Sequence, residues 1–99
     1  MTDINSLQNE AESLDQKARG ASEAAQQKRI KAAQHAAAGQ MPQAEAQSNA
    51  AMMDDKKAAD YSADAQQKRA EIADLQQKAQ VIERELHDNQ QQLRRIKGA

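Results

Sequence analysis

The chain of 99 residues contains no cysteine, tryptophan or phenylalanine, and it has one tyrosine, one proline and three glycines. Leucine, isoleucine and valine together number only 11. A compact globule of this length offsets the conformational entropy of folding by burying large aliphatic and aromatic side chains, and 11 aliphatic residues cannot fill such a core. We therefore do not expect a self-sufficient globular enzyme.

The absence of cysteine excludes a disulfide framework and a thiolate metal site. The first residues lack the basic and apolar pattern of a leader peptide, and no window approaches the roughly 18 apolar residues that a membrane span needs. We expect a cytoplasmic protein without a membrane span, with export by a route that needs no leader as the alternative.

The chain is rich in residues that favour helices. It contains 22 alanines and 16 glutamines, and its 14 basic and 15 acidic side chains nearly cancel. A low content of large aliphatic residues is typical of disorder when the net charge is high, but here the net charge is only −1. Because strong helix formers make up most of the chain, the composition predicts long helices.

Small and aliphatic residues recur at spacings that alternate between three and four, which is a heptad pattern. We call these positions the seam. Near the start the seam comprises Ile4, Leu7, Ala11, Leu14, Ala18, Ala21 and Ala25, and it continues through Lys28 to Ala32. Near the end it comprises Ile72, Leu75, Ala79, Ile82, Leu86, Asn89, Leu93 and Ile96. Between these runs it contains Ala44, Ala51, Ala58, Tyr61 and Ala65, interrupted by Gln47, Asp54 and Lys68.

The clearest break in the helical pattern lies at 38–42. Gly39 can adopt the left-handed conformation after a helix, and Pro42 suits the first turn of the next one. The sequence predicts one helical domain over 1–99, with a first helix over about 3–38, a turn over 39–42 and a second helix over about 43–97. A second break at Gly20, with Ser22 as a helix N-cap, is the alternative and would give three helices.

Two helices joined by a tight turn fold back on each other, because the stripe on each would otherwise face water. The sequence therefore predicts an all-α fold, an elongated antiparallel two-helix hairpin that forms a coiled coil with an alanine-rich seam. The second helix is longer, so that roughly the last 18 residues form a C-terminal heptad overhang. We expect this helix to bind a second copy or another protein through Ile72, Leu75, Ile82, Leu86, Asn89, Leu93 and Ile96.

The sequence offers no arrangement typical of catalysis or cofactor binding. His35 and His87 lack the spacing of a metal site, and no serine lies in a glycine-flanked turn. Asp54 and Asp55 are adjacent, so on a helix they point about 100° apart and are assigned to the exposed face. The basic clusters are small and lack stacking aromatic residues, so we do not expect nucleic-acid binding. We predict no catalytic, cofactor-binding or metal-binding residues and no small-molecule substrate.

Acidic residues precede basic ones by four positions at Asp15 and Arg19, at Asp64 and Lys68, and at Asp74 and Lys78, an order that favours ion pairs within a helix. In addition, the segment Ala-Gln-Gln-Lys-Arg occurs at 25–29 and again at 65–69, at an offset of 40. Because these residue types are abundant here, we interpret the recurrence as chance similarity, with duplication of a two-helix unit as the alternative.

These features favour a non-enzymatic structural or adaptor protein that acts by self-assembly and protein–protein binding. A small component of a bacterial-type secretion system or of a phage, either a chaperone or an exported helical hairpin, is one alternative. The length, the two-helix plan and the lack of cysteine resemble small exported hairpins whose turn is defined by Trp-x-Gly, although the turn here reads Gly-Gln-Met-Pro. A helical protein inhibitor of an enzyme is another alternative.

Overall fold

In a computed structural model that describes residues 3–98, two helices account for nearly all of that range. Helix α1 spans Ile4–Ala37 and helix α2 spans Met41–Gly98. They pack side by side in an elongated body of 91 × 18 × 14 Å, and residues 3–98 contain no strand. The prediction of an all-α chain folded as an elongated helical hairpin is confirmed.

Side-chain and backbone capping set the ends of α1. The Asp3 carboxylate accepts a hydrogen bond from the backbone nitrogen of Asn5 at 3.3 Å, which satisfies one of the unpaired donors of the first turn. At the other end, Gly39 has a φ of 77°, the left-handed conformation that glycine adopts without steric cost. The Gln40 backbone nitrogen then donates to the carbonyl oxygen of His35 at 2.8 Å, which closes the turn.

Helix α2 begins at Met41, two residues earlier than the sequence predicted. Pro42 therefore lies in the first helical turn, where its missing N–H has no intrahelical partner to lose. Gly20 lies within α1, so the predicted alternative of three helices is wrong. A single interior glycine costs a helix only about 1 kcal/mol relative to alanine, and the burial of Ala18 and Ala25 on either side outweighs this cost.

The interface between the helices is a narrow strip of mostly small side chains. Its buried apolar members all lie at seam positions, and in both helices most of them are alanines that recur every seven residues. They are Leu7, Ala11, Ala18, Ala25, Ala32, Ala44, Ala51, Ala58, Ala65 and Ile72. Because an alanine side chain is one methyl group, the two backbones can approach closely over most of the hairpin.

The two larger buried residues, Leu7 and Ile72, close the end of the hairpin far from the turn. Gln8 and Ala11 of α1 line the same groove as Ile72 of α2. Ile4 therefore lies at about the level of residue 76, one helical turn further on. The remaining part of α2, residues 76–98, extends past α1 by about 35 Å at 1.5 Å per residue. We call residues 76–98 the tail.

Candidate protein-interaction surface

A pair of opposite charges lies inside the hairpin seam. Lys28 Nζ is 2.5 Å from Asp54 Oδ2, and Asp54 is only 9% exposed. The assignment of Asp54 to the exposed face is therefore wrong. A buried carboxylate requires a partner because its desolvation is costly, and the antiparallel packing of α1 provides Lys28 as that partner.

Two ion pairs on the flank of the seam are related by position. Arg29 pairs with Asp55, and Asp15 pairs with Arg69. Each of the four residues directly follows a seam position. The acids lie at 15 and 55 and the bases at 29 and 69, so an offset of 40 converts one pair into the other. This is also the offset of the segment shared by 25–29 and 65–69, and the two copies thus occupy equivalent places in the two helices.

Only one of the three predicted intrahelical ion pairs is present. Lys78 Nζ lies 3.0 Å from Asp74 Oδ2, as predicted. The other two predictions are wrong, because Lys68 instead lies 3.3 Å from Glu10 Oε2 and Asp15 bonds Arg69. The hairpin brings these partners together from residues that are far apart in sequence.

The contact with Arg69 changes the pKa of the Asp15 carboxylate. The hydrogen bond from Arg69 lowers the pKa of Asp15 below its ordinary value, and the charges of Arg69 and Arg19 lower it further, while partial desolvation opposes them. The same contact raises the pKa of the Arg69 guanidinium. The pair therefore favours the charged form of both residues.

The residues predicted to form the interaction surface fall into two groups. Ile72 is buried and Leu75 is half-buried, so both belong to the closed end of the hairpin and do not form a free surface. The others lie in the tail and are exposed, namely Ile82, Leu86, Asn89, Leu93 and Ile96. The four aliphatic members of this second group expose between 54% and 73% of their surface.

The exposed stripe of the tail continues the buried strip of the hairpin without a change of spacing. From Ile72 the seam passes through Leu75, Ala79 and Ile82 to Ile96, with steps of three and four throughout. The face of α2 that α1 covers is therefore the same face that is uncovered in the tail. Other large exposed apolar residues, such as Ile30, lie off the seam.

All three acidic residues of the tail come before its C-terminal basic cluster. Glu83, Glu85 and Asp88 lie in its middle, and Arg94, Arg95 and Lys97 lie near its end. Two further basic residues, Lys78 and Arg84, lie before and among the acidic ones. Glu83 directly follows the seam residue Ile82, and Lys97 directly follows Ile96. These are the same flanking positions that carry the ion pairs of the hairpin. The sequence did not lead us to predict that flanking charges pair across the hairpin. The signal in the sequence was an acidic or basic residue directly after a seam residue.

The histidines take part in polar contacts near the turn and within the tail. His35 Nδ1 lies 2.7 Å from Gln40 Oε1, and His87 Nε2 lies 3.1 Å from Gln91 Nε2. In the range 3–98 no three histidine, cysteine or acidic residues form a group that could hold a metal ion. Neither helix contains a stretch of sufficient length and apolar character to cross a membrane within that range.

Comparisons with known proteins provide no family for this chain. It matches no protein-family model, no curated protein and no solved structure. Its function must therefore be inferred from the geometry of the hairpin and of the tail.

Proposed function

We propose that the protein is a non-enzymatic structural or adaptor coiled coil that acts by self-assembly and protein–protein binding through its tail. The observation that carries this proposal is the exposed apolar stripe of residues 76–98, which extends the buried seam in the same spacing. Covering a leucine or isoleucine side chain contributes about 1.5–3 kcal/mol. Several such residues on one face favour association strongly enough to offset the loss of motional freedom.

The hairpin has the properties of a spacer that presents the tail. Its helices pack through alanines and are linked on their flanks by ion pairs, and the whole body is only 18 × 14 Å in cross-section. We interpret the seven-residue recurrence of buried residues as a coiled coil, in which close alanine packing keeps the two helices in one register. A narrow rod with an exposed apolar stripe at one end is better suited to protein assembly than to a reaction that needs an enclosed active site.

The test replaces two stripe residues with charged ones. We expect the double substitution Leu86→Asp and Leu93→Asp to abolish self-association or partner binding, because it places carboxylates in the surface that must be desolvated. The hairpin should remain folded, since both positions lie beyond α1. Light scattering measures the mass of the assembly, and circular dichroism measures the helix content.

A matched control is available within the hairpin. Met52 and Met53 are exposed to a similar extent but lie off the seam, so Met52→Asp with Met53→Asp adds the same charge elsewhere. This control should retain the wild-type mass and binding. Equal masses and equal binding for the tail variant and the wild type would refute the proposed function.

A further inference from the structure

The direction of the exposed stripe in the tail indicates which molecule covers it. We propose that a second copy of this chain covers the tail in antiparallel orientation, so that two tails overlap and the two hairpins extend in opposite directions. This inference rests on the proposed function and specifies the partner. It is carried by the continuity of the stripe with the α1–α2 interface and by the charges that flank it.

The position of α1 decides the orientation. Helix α1 covers the seam face of α2 up to about the level of residue 76, and α2 is one helix over Met41–Gly98. A second α2 that lay parallel on the tail would continue straight into the space that α1 occupies. An antiparallel copy leaves in the other direction, past Gly98, and meets no such obstacle.

The antiparallel copy also extends the line of α1. Its tail runs in the same direction as α1 and lies on the same face, with its C-terminal end toward Asp3. The negative end of one helix dipole then points at the positive end of the next, which is a favourable arrangement. The last turns of the second copy's α2 lie near this junction, and they carry Arg94, Arg95 and Lys97.

The seam sets the register of the overlap. In the hairpin, Lys28 faces Asp54, and the two residues hold equivalent seam positions in the two helices. The same relation places Ile82 opposite Ile96 of the second copy, Leu86 opposite its Leu93, and Asn89 opposite the second Asn89. The twofold symmetry repeats the first two contacts and places the two Asn89 side chains together at the centre of the overlap. In this register Gly98 of the second copy is level with about residue 80, roughly one helical turn beyond the level of Ile4. The two helices therefore occupy successive lengths of the same line.

The flanking charges complement each other only in this orientation. In the hairpin, Asp15 and Arg69 pair across antiparallel helices from positions that directly follow seam residues. In the overlap, Glu83 has the same relation to Lys97 of the second copy, and the pair occurs twice. Gln90, which lies seven residues from each of them at the same heptad position, is neutral. A parallel overlap would instead align each basic end with its own counterpart.

The absence of cysteine allows a direct test of orientation and register. Two single variants of the full chain, Ile82→Cys and Ile96→Cys, are prepared with tags of different mass, mixed and mildly oxidised. We expect a disulfide-linked heterodimer from the mixture and little linkage from either variant alone. In a parallel dimer residues 82 and 96 are about 21 Å apart along the helix, whereas the two copies of position 82 face each other.

A second measurement uses charge and length. Glu83→Lys alone or Lys97→Glu alone should weaken self-association about threefold to tenfold, and the double swap should restore it, as expected for two partly exposed ion pairs. X-ray scattering of the wild type should give a maximum dimension of about 150 Å, because two 91 Å bodies overlap over about 35 Å.

The outcomes separate this inference from the proposed function. Linkage of Ile82→Cys to itself, with a maximum dimension near that of one chain, would overturn the antiparallel overlap but leave self-assembly intact. A wild-type chain that stays monomeric would also overturn it, and a partner lost on the double aspartate substitution of the tail would then be a different protein. A monomer whose tail substitutions change nothing would refute both.

Discussion

Lys28 and Asp54 face each other on the inner sides of the two helices, with Nζ and Oδ2 2.5 Å apart. The two side chains are shielded unequally, because 36% of the lysine side chain is exposed but only 13% of the aspartate side chain. Lys28 can extend its ammonium group to water along its aliphatic stem, whereas Asp54 cannot. The ion pair therefore compensates mainly for the desolvation of the Asp54 carboxylate.

This inequality predicts unequal effects of the two single substitutions. Lys28→Leu leaves a buried carboxylate without a partner and should lower the free energy of unfolding by about 1–3 kcal/mol. Asp54→Leu should cost less, and the double variant should be at least as stable as the wild type, because well-packed apolar residues often replace a buried ion pair without loss. Urea unfolding of the four proteins measures their free energies of unfolding. A double variant that is less stable than Lys28→Leu would contradict the prediction.

Gly20 and Gly39 provide a matched pair of glycine-to-alanine substitutions. A Cβ added at Gly20 meets no atom within 4 Å, so Gly20→Ala should stabilise α1 by about 0.5–1 kcal/mol. Gly39→Ala also meets no atom, but its φ of 77° strains any other residue, so it should destabilise the hairpin. Thermal unfolding followed by circular dichroism compares them, and a destabilising Gly20→Ala would mean that α1 is broken there.

The Asp15–Arg69 pair makes stability depend on pH. Because the folded-state pKa of Asp15 is lowered below 3.8, its contribution is present above the unfolded pKa and is lost as pH falls through the folded pKa. Arg69→Gln should return the Asp15 pKa toward 3.8, and it should reduce stability at neutral pH but not in strong acid. NMR titration of the carboxyl group measures the pKa. Arg19→Gln is the control and should change the pKa of Asp15 less, because the charge of Arg19 lowers that pKa less than Arg69 does.

The proposed self-assembly predicts a melting temperature that depends on protein concentration. Binding between copies stabilises the folded state by mass action, so the melting temperature should rise over two decades of concentration. The double aspartate variant of the tail should show no such rise. A wild-type melting temperature that is independent of concentration would show that association contributes nothing to stability.

The sequence predicted the helices and the turn well because these depend on local properties. Helix propensity, the spacing of the seam and the glycine at position 39 act over a few residues and can be read directly. The burial of Ile72 and of Asp54 was missed for a different reason. Whether a seam residue is covered depends on how far the other helix reaches, and this follows from the packing register and not from the residue itself.

The sequence by itself determined that the chain is all-α, that it reverses near Gly39 and that one helix is longer than the other, because composition and periodicity fix local conformation. Only the tertiary structure decided which charges meet. Asp15 had a local partner in Arg19 and a distant one in Arg69, and antiparallel packing brought the distant guanidinium within hydrogen-bond reach. Tertiary packing also divided one continuous seam into a buried part and an exposed tail, since α1 begins at Ile4 and covers α2 only as far as its own length allows.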